Sequence, residues 1–143
     1  MQELTQLGRH EMKQLTILTE NKPGILAKVA SLLGGQGVNM ESITAETFAD
    51  SAIIHVITSD FNTAKSLVEK NGFKTVDSEI LLFEIIDRPG ELGKVATYLA
   101  NEGINIENIY LLSRKKDKAV LAMKLNDPVK AKQLFKNYLV EKA

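Results

Sequence analysis

The sequence contains no cysteine. Disulfides and thiolate metal sites are thereby excluded, and the cytoplasm is the expected compartment. Histidine is nearly as scarce: His10 stands in the opening segment, and His55 alternates with Ile53 and Ile57, as a histidine packed on a sheet would. Such a pair supplies neither a metal cluster nor a histidine-based catalytic couple, so no metal, no cofactor and no catalytic residue is expected. No charge of one sign dominates, because 18 lysines and arginines balance 18 acidic residues. A nucleic-acid partner calls for a basic excess or stripe and, on a sheet, for paired aromatics; neither is present, and the phenylalanines are scattered. The one basic run, Arg114-Lys115-Lys116 with Lys118, brackets Asp117 between apolar stretches and reads as a solvated hairpin tip. Long apolar runs are missing too. None approaches the ~20 residues that cross a bilayer, and no charged start with an apolar core marks export, so no membrane partner is expected.

What the sequence does have is a repetition. ENKPGILAKVASLLGGQGVNME, residues 20–41, returns as IDRPGELGKVATYLANEGINIE, residues 86–107. The offset is constant, 89 − 23 = 66 for the prolines and 105 − 39 = 66 for the asparagines. Leu26/Leu92, Lys28/Lys94, Val29/Val95, Leu33/Leu99, Gly37/Gly103 and Ile43/Ile109 coincide at that spacing. A match this dense without a gap is a duplication, and two copies are too few for a solenoid. Residues 1–12 are set aside as an N-terminal tail, 13–78 as the first repeat and 79–143 as the second.

Each copy has the same order of signals. Gln14–Thr19 reads as a strand. Ile25, Leu26, Val29, Leu32 and Leu33 recur at helical spacing, with Pro23 placed at the first helical position and Gly37 as the left-handed stop. Asn39–Phe48 and Ser51–Thr58 read as a hairpin around Ala49-Asp50. Asp60 and Asn62 are expected to cap a second helix over Ala64, Leu67 and Val68, and Phe73–Val76 closes the unit, leaving Asp77-Ser78 as a short connection. The second copy gives Glu79–Ile86, a helix on Leu92, Val95, Ala96 and Leu99, a hairpin Asn105–Ser113 with Lys118–Leu125, and a last helix capped by Asp127-Pro128. That helix carries Ala131, Leu134, Phe135, Tyr138 and Leu139. The expected fold is α+β: two ferredoxin-like βαββαβ repeats, antiparallel sheets with helices on one face, the second repeat lacking an evident last strand. Ile80–Ile86 is apolar on both alternating faces except for Glu84, which fits a strand buried on both sides and a self-associating chain, a homodimer.

The chemistry concentrates at the strand-to-helix turn. A glycine there admits a ligand close to the backbone, and the helix start behind it favours a carboxylate or phosphate. Asn21 and Asp87 precede the turn, where each can accept from an ammonium group; Asn39 and Asn105 follow the first helix of each copy and offer both donor and acceptor. The set suits a zwitterion, a free amino acid. The plainer alternative stays open: proline and glycine making a turn, and the asparagines serving turns of their own.

TENKPGILAKVASLLGGQGVNMESI and IIDRPGELGKVATYLANEGINIENI resemble the ACT domain, the small-molecule-sensing module of amino-acid metabolism, over roughly Lys13 to Leu139. The resemblance implies a non-enzymatic, amino-acid-binding regulatory protein. Its ligand is expected at Thr19, Asn21, Pro23, Gly24, Ile25, Leu26 and Asn39, often across a dimer interface, with a second set at Asp87, Gly90, Glu91, Leu92 and Asn105. Thr19 takes the place of a ligand-binding histidine found in some members, and Ile85 matches it in the second copy. Two alternatives stand beside this one. The first is a regulatory subunit of a biosynthetic enzyme such as acetolactate synthase, with that enzyme as partner. The second is an acylphosphatase-like hydrolase, which shares the topology and binds phosphate at the first strand–helix turn, with Arg88 available and Lys22 in its place in copy one.

Overall fold

The computed structural model describes residues 12–135. The tail up to Glu11, and Tyr138 and Leu139 of the last apolar stripe, lie outside them. The described residues divide into two compact units, 12–78 and 79–135.

In the first unit, β1 (Lys13–Glu20) leads to α1 (Ile25–Gly35), the hairpin β2 (Ser42–Phe48) and β3 (Ser51–Ile57), α2 (Phe61–Lys70) and β4 (Lys74–Glu79). The sheet order is β2-β3-β1-β4, so β1 is interior and β2 lies at an edge. Alternation in β1 sends Leu15 and Ile17 to one face, where they meet Val29 and Leu33 of α1, Ala64 and Val68 of α2, and Ile54 and Val56 of β3. Leu15 and Ile17 are fully buried, each contributing about 1.5–3 kcal/mol relative to exposure. On the opposite face Thr16 and His55 stand directly across from each other. The Thr16 hydroxyl lies 2.9 Å from His55 Nδ1, which makes this histidine a sheet-surface residue engaged with its neighbour.

Three local expectations need correction. β2 begins at Ser42 rather than Asn39, because the approach is tied to the far end of β3: Glu41 N–H donates to Ile57 O (2.8 Å), and the Thr58 hydroxyl donates to Asn39 O (2.6 Å). The Asp60 side chain does not cap α2. The buried Thr58 oxygen instead accepts from Asp60 N–H at 3.0 Å. β4 continues through Asp77-Ser78 to Glu79, because Asp77 is held by Lys65 of α2 at 2.8 Å and Ser78 is buried. Gly37, by contrast, is left-handed (φ 72°), and Val38 N–H reaches back to Leu33 O at 3.0 Å, closing α1.

The second unit runs β5 (Leu81–Ile86), α3 (Glu91–Asn101), β6 (Ile106–Lys115), β7 (Lys118–Leu125) and α4 (Pro128–Leu134). Its sheet has three strands in the order β5-β7-β6, with no fourth strand beside β5 among the described residues. Phe83 and Phe135 meet edge to face at 5.6 Å, and Tyr98 packs on Phe135 at 4.7 Å. Val95, Leu99, Leu121 and Met123 complete this core. Leu81, Leu82 and Phe83 are buried in succession, so β5 is covered on both faces. Asp127 does cap its helix: the carboxylate accepts from Lys130 N–H at 3.0 Å, and Pro128 opens the first turn.

Candidate functional site

Pro23 does not stand at the first helical position. Lys22, Pro23, Gly24 and Ile25 form a turn closed by Ile25 N–H to Lys22 O (3.3 Å), and Gly24 has φ 86° and ψ −2°. Those are the angles of the third residue of a type II turn, which wants proline before it and glycine at that place. The helix starts one residue later, because a left-handed residue cannot lie inside it. Arg88-Pro89-Gly90-Glu91 repeats the arrangement, with Gly90 at φ 92° and the closing bond at 3.3 Å. The turn thus explains Pro-Gly twice over without any ligand. It also leaves the start of α1 with glycine as its cap and no side chain upon it. A Cβ at Gly24 would meet nothing within 4 Å.

That open space continues into a groove of about 540 Å³ between the start of α1 and the hairpin. Asn21, Gly24, Ile25 and Leu26 line one side; Ala45 and Thr47 of β2 line the other, over Ala52 and Ile54 of β3. The structure therefore gathers Asn21, Gly24, Ile25 and Leu26 of the expected set. Pro23 forms the turn beside them, and Thr19 pairs with Ala52 at the groove's edge. Asn21 is anchored to the hairpin: its N–H donates to Asp50 O (2.9 Å) and its side-chain amide to Ala49 O (3.2 Å). Nothing acidic stands in the first turn of α1. Lys22 is drawn aside by Glu20 at 2.7 Å.

Asn39 is not in this groove. Ser42, three residues on, pairs with Ile57, which also pairs with Gln14 at the start of β1, whereas Asn21 follows the end of that strand. The stretch of β1 from Gln14 to Glu20, about 20 Å at ~3.4 Å per residue, lies between the two asparagines. No single amino acid spans that distance within one repeat. Asn105 lies at the corresponding end of the second repeat, exposed, its N–H donating to the Asn126 side chain at 2.9 Å.

The groove residues of the hairpin, Ala45, Thr47 and Ala52, were not visible as site residues in the sequence. Their small size is the only signal, and it acquires meaning only once the β2–β3 register places them opposite Gly24.

In the second repeat the equivalent positions carry charge. Asp87 is paired with Arg114 of β6 at 2.6 Å. Glu91 opens α3, with Oε2 accepting from Arg88 Nε (3.2 Å) and Lys94 Nζ (3.0 Å). Its side chain is only 14% exposed. The Lys94 hydrogen bond, helped by Arg88, outweighs the opposing effect of desolvation and sets the Glu91 carboxyl below its usual value of 4.5. Among the described residues no cluster of histidine, aspartate and glutamate could hold a metal, and no helix is long and apolar enough to cross a membrane.

Two α+β units follow one another in the chain, each opening its first helix from a Pro-Gly turn. The ACT domain pair model matches residues 10–141, and the chain belongs to that family. Among solved structures it is similar to protein BT0572 from Bacteroides thetaiotaomicron, with 28% identity over 89% of this chain and 90% of that one and a TM-score of 0.80. The regulatory subunit of aspartate kinase from Thermus thermophilus shares the fold at 20% identity, covering 80% and 83% of the two chains with a TM-score of 0.61. The corresponding subunit from Thermus flavus aligns at 20% identity, over 80% and 84%, with a TM-score of 0.59. No curated protein matches.

Proposed function

We propose that this ACT pair is a non-enzymatic regulatory protein that binds a free amino acid in the first repeat. The observation carrying the reading is the groove beside Gly24, which joins an uncapped helix start to an apolar floor of Ala52 and Ile54. The carboxylate would lie against the N–H groups of the first turn, which lack intrahelical partners and carry the positive end of the helix dipole. Asn21 Oδ1 would accept from the ammonium group. Asn39 would come from a second copy of the chain, since its own copy holds it at the far end of the sheet. Two features support such a dimer: β2 is an edge strand, and Leu26 and Ile43 leave 43% and 39% of their surface exposed beside the groove.

A thermal-shift screen against the twenty amino acids tests the reading. A ligand at about 100 times its dissociation constant adds roughly 2.7 kcal/mol. Calorimetry should then show Asn21→Ala and Asn39→Ala each weakening binding by about 0.5–1.5 kcal/mol. Unchanged affinity in both would remove the ligand from this groove. Light scattering should give a dimeric mass at micromolar concentration.

The likeness to aspartate kinase regulatory subunits favours, as a second reading, a cytoplasmic partner enzyme of amino-acid biosynthesis. An acylphosphatase role is less well supported, because Lys22 and Arg88 already pair with Glu20 and Glu91. Release of phosphate from acetyl phosphate would restore it.

A further inference from the structure

The hairpin tips align Ala49 with Lys116, both at positive φ, so here the offset between repeats is 116 − 49 = 67. Thr47, which lines the groove opposite Asn21, therefore corresponds to Arg114; both residues pair with the alanine facing the helices, Ala52 and Ala119. Strand order β5-β7-β6 places Ala119 between Arg114 and the end of β5. To reach Asp87 at 2.6 Å, the Arg114 side chain must cross β7 over Ala119, the counterpart of the groove floor. Ala45, on the other side of the first groove, becomes Leu111. Ile25 becomes Glu91, pinned at the helix start by Arg88 and Lys94.

We propose that the second repeat is closed to ligand by its own side chains: the Arg114–Asp87 pair straps the groove, and the Glu91 carboxylate stands where a ligand carboxylate would bind. The protein then takes one amino acid per chain, and Asp87 and Arg114 decide which repeat is used. This rests on the amino-acid reading of the first repeat. It also reassigns Asp87 and Glu91 from ligand contacts, and Arg114 from a solvated hairpin tip, to groove closure. Because Arg114 is exposed, Asp87 and Glu91 are only partly buried, and none of the three belongs to the hydrophobic core, removing these groups should open the groove without unfolding the unit.

The test uses the ¹⁵N-labelled full chain titrated with glycine and, separately, with sodium acetate, which offers the carboxylate alone. Wild type should show saturable amide shifts at Gly24, Ile25 and Leu26 and none at Gly90, Glu91 and Leu92. The triple variant Asp87→Asn, Glu91→Ile, Arg114→Thr, which installs the first repeat's residues at all three closing positions, should add saturable shifts at Gly90 and Leu92. Arg114→Lys, which keeps the charge, should leave the second repeat silent. Shifts at Gly90 and Leu92 in wild type, or none there in a triple variant whose circular dichroism is native, would overturn the closure. If Gly24–Leu26 never respond while the triple variant opens Gly90 and Leu92 to acetate, the closure stands and the first-repeat reading falls.

Discussion

Residues 21–33 of the first repeat carry two lysines and no acid, whereas residues 87–99 of the second carry Arg88 and Lys94 against Asp87 and Glu91. Both stretches fold into the same type II turn and the same eleven-residue helix. The shared positions are the ones folding needs: Pro-Gly for the turn, Val29/Val95 and Leu33/Leu99 for the core. Of the divergent positions, Asn21/Asp87 and Ile25/Glu91 lie at the helix start, while Leu32/Tyr98 differ against the core. In the first repeat Lys22 pairs with Glu20 ahead of the helix; in the second, Glu91 within the helix is held by Arg88 and Lys94.

The comparison is broken most severely in the core. Ile17 and Phe83 occupy equivalent places on the first strands, both fully buried. Phe83 also supports Phe135, which in turn supports Tyr98. Phe83→Ala should cost about 3–5 kcal/mol and Ile17→Ala about 2–5 kcal/mol. Urea unfolding decides the order. A Phe83 effect below that of Ile17 would show that the aromatic cluster is not what holds the second unit.

A smaller effect distinguishes turn from helix. Gly24→Ala places a side chain at φ 86° and should destabilise by about 1–2 kcal/mol, although its Cβ would touch nothing. Gly93 lies in α3, where the first repeat has Ala27; Gly93→Ala should stabilise by about 0.5–1 kcal/mol. Equal and opposite-looking glycines thus report backbone conformation rather than space. Thermal melts of the two variants should move in opposite directions.

Much of this was legible in the sequence. The offset of 66, the two periodicities and the turn residues gave the order of elements in both repeats among the described residues. Two things were not. Leu112 drops out of the β6–β7 ladder, a one-residue shift without sequence signature that makes the hairpin tips align at 67. Pro23 was misplaced because proline at a helix start and proline in a type II turn look alike until the glycine's angle is known.

The second helices sharpen the contrast further. Asp127 caps α4 through its side chain, while Asp60 leaves α2 to Thr58. Asp127→Ala should cost about 1 kcal/mol and Asp60→Ala only a few tenths, if the cap and not the residue type matters. Denaturant midpoints of the two variants test it.

The smallest effect expected is one of pH. Glu91 has a carboxyl pKa below its unfolded value, chiefly through the Lys94 hydrogen bond. A depressed folded pKa means the unfolded chain takes up the proton first, so stability falls as the solution is acidified. The contribution is complete above the usual value of 4.5 and is lost as pH drops through the lowered folded one. The equivalent Ile25 has nothing to titrate. Glu91→Gln should therefore flatten the acid limb of the stability profile slightly and leave neutral ligand binding by the first repeat unchanged. Melts of wild type and variant between about pH 3 and 6 measure it. An identical acid limb in both proteins would mean that Arg88 and Lys94 hold Glu91 no more firmly than water does.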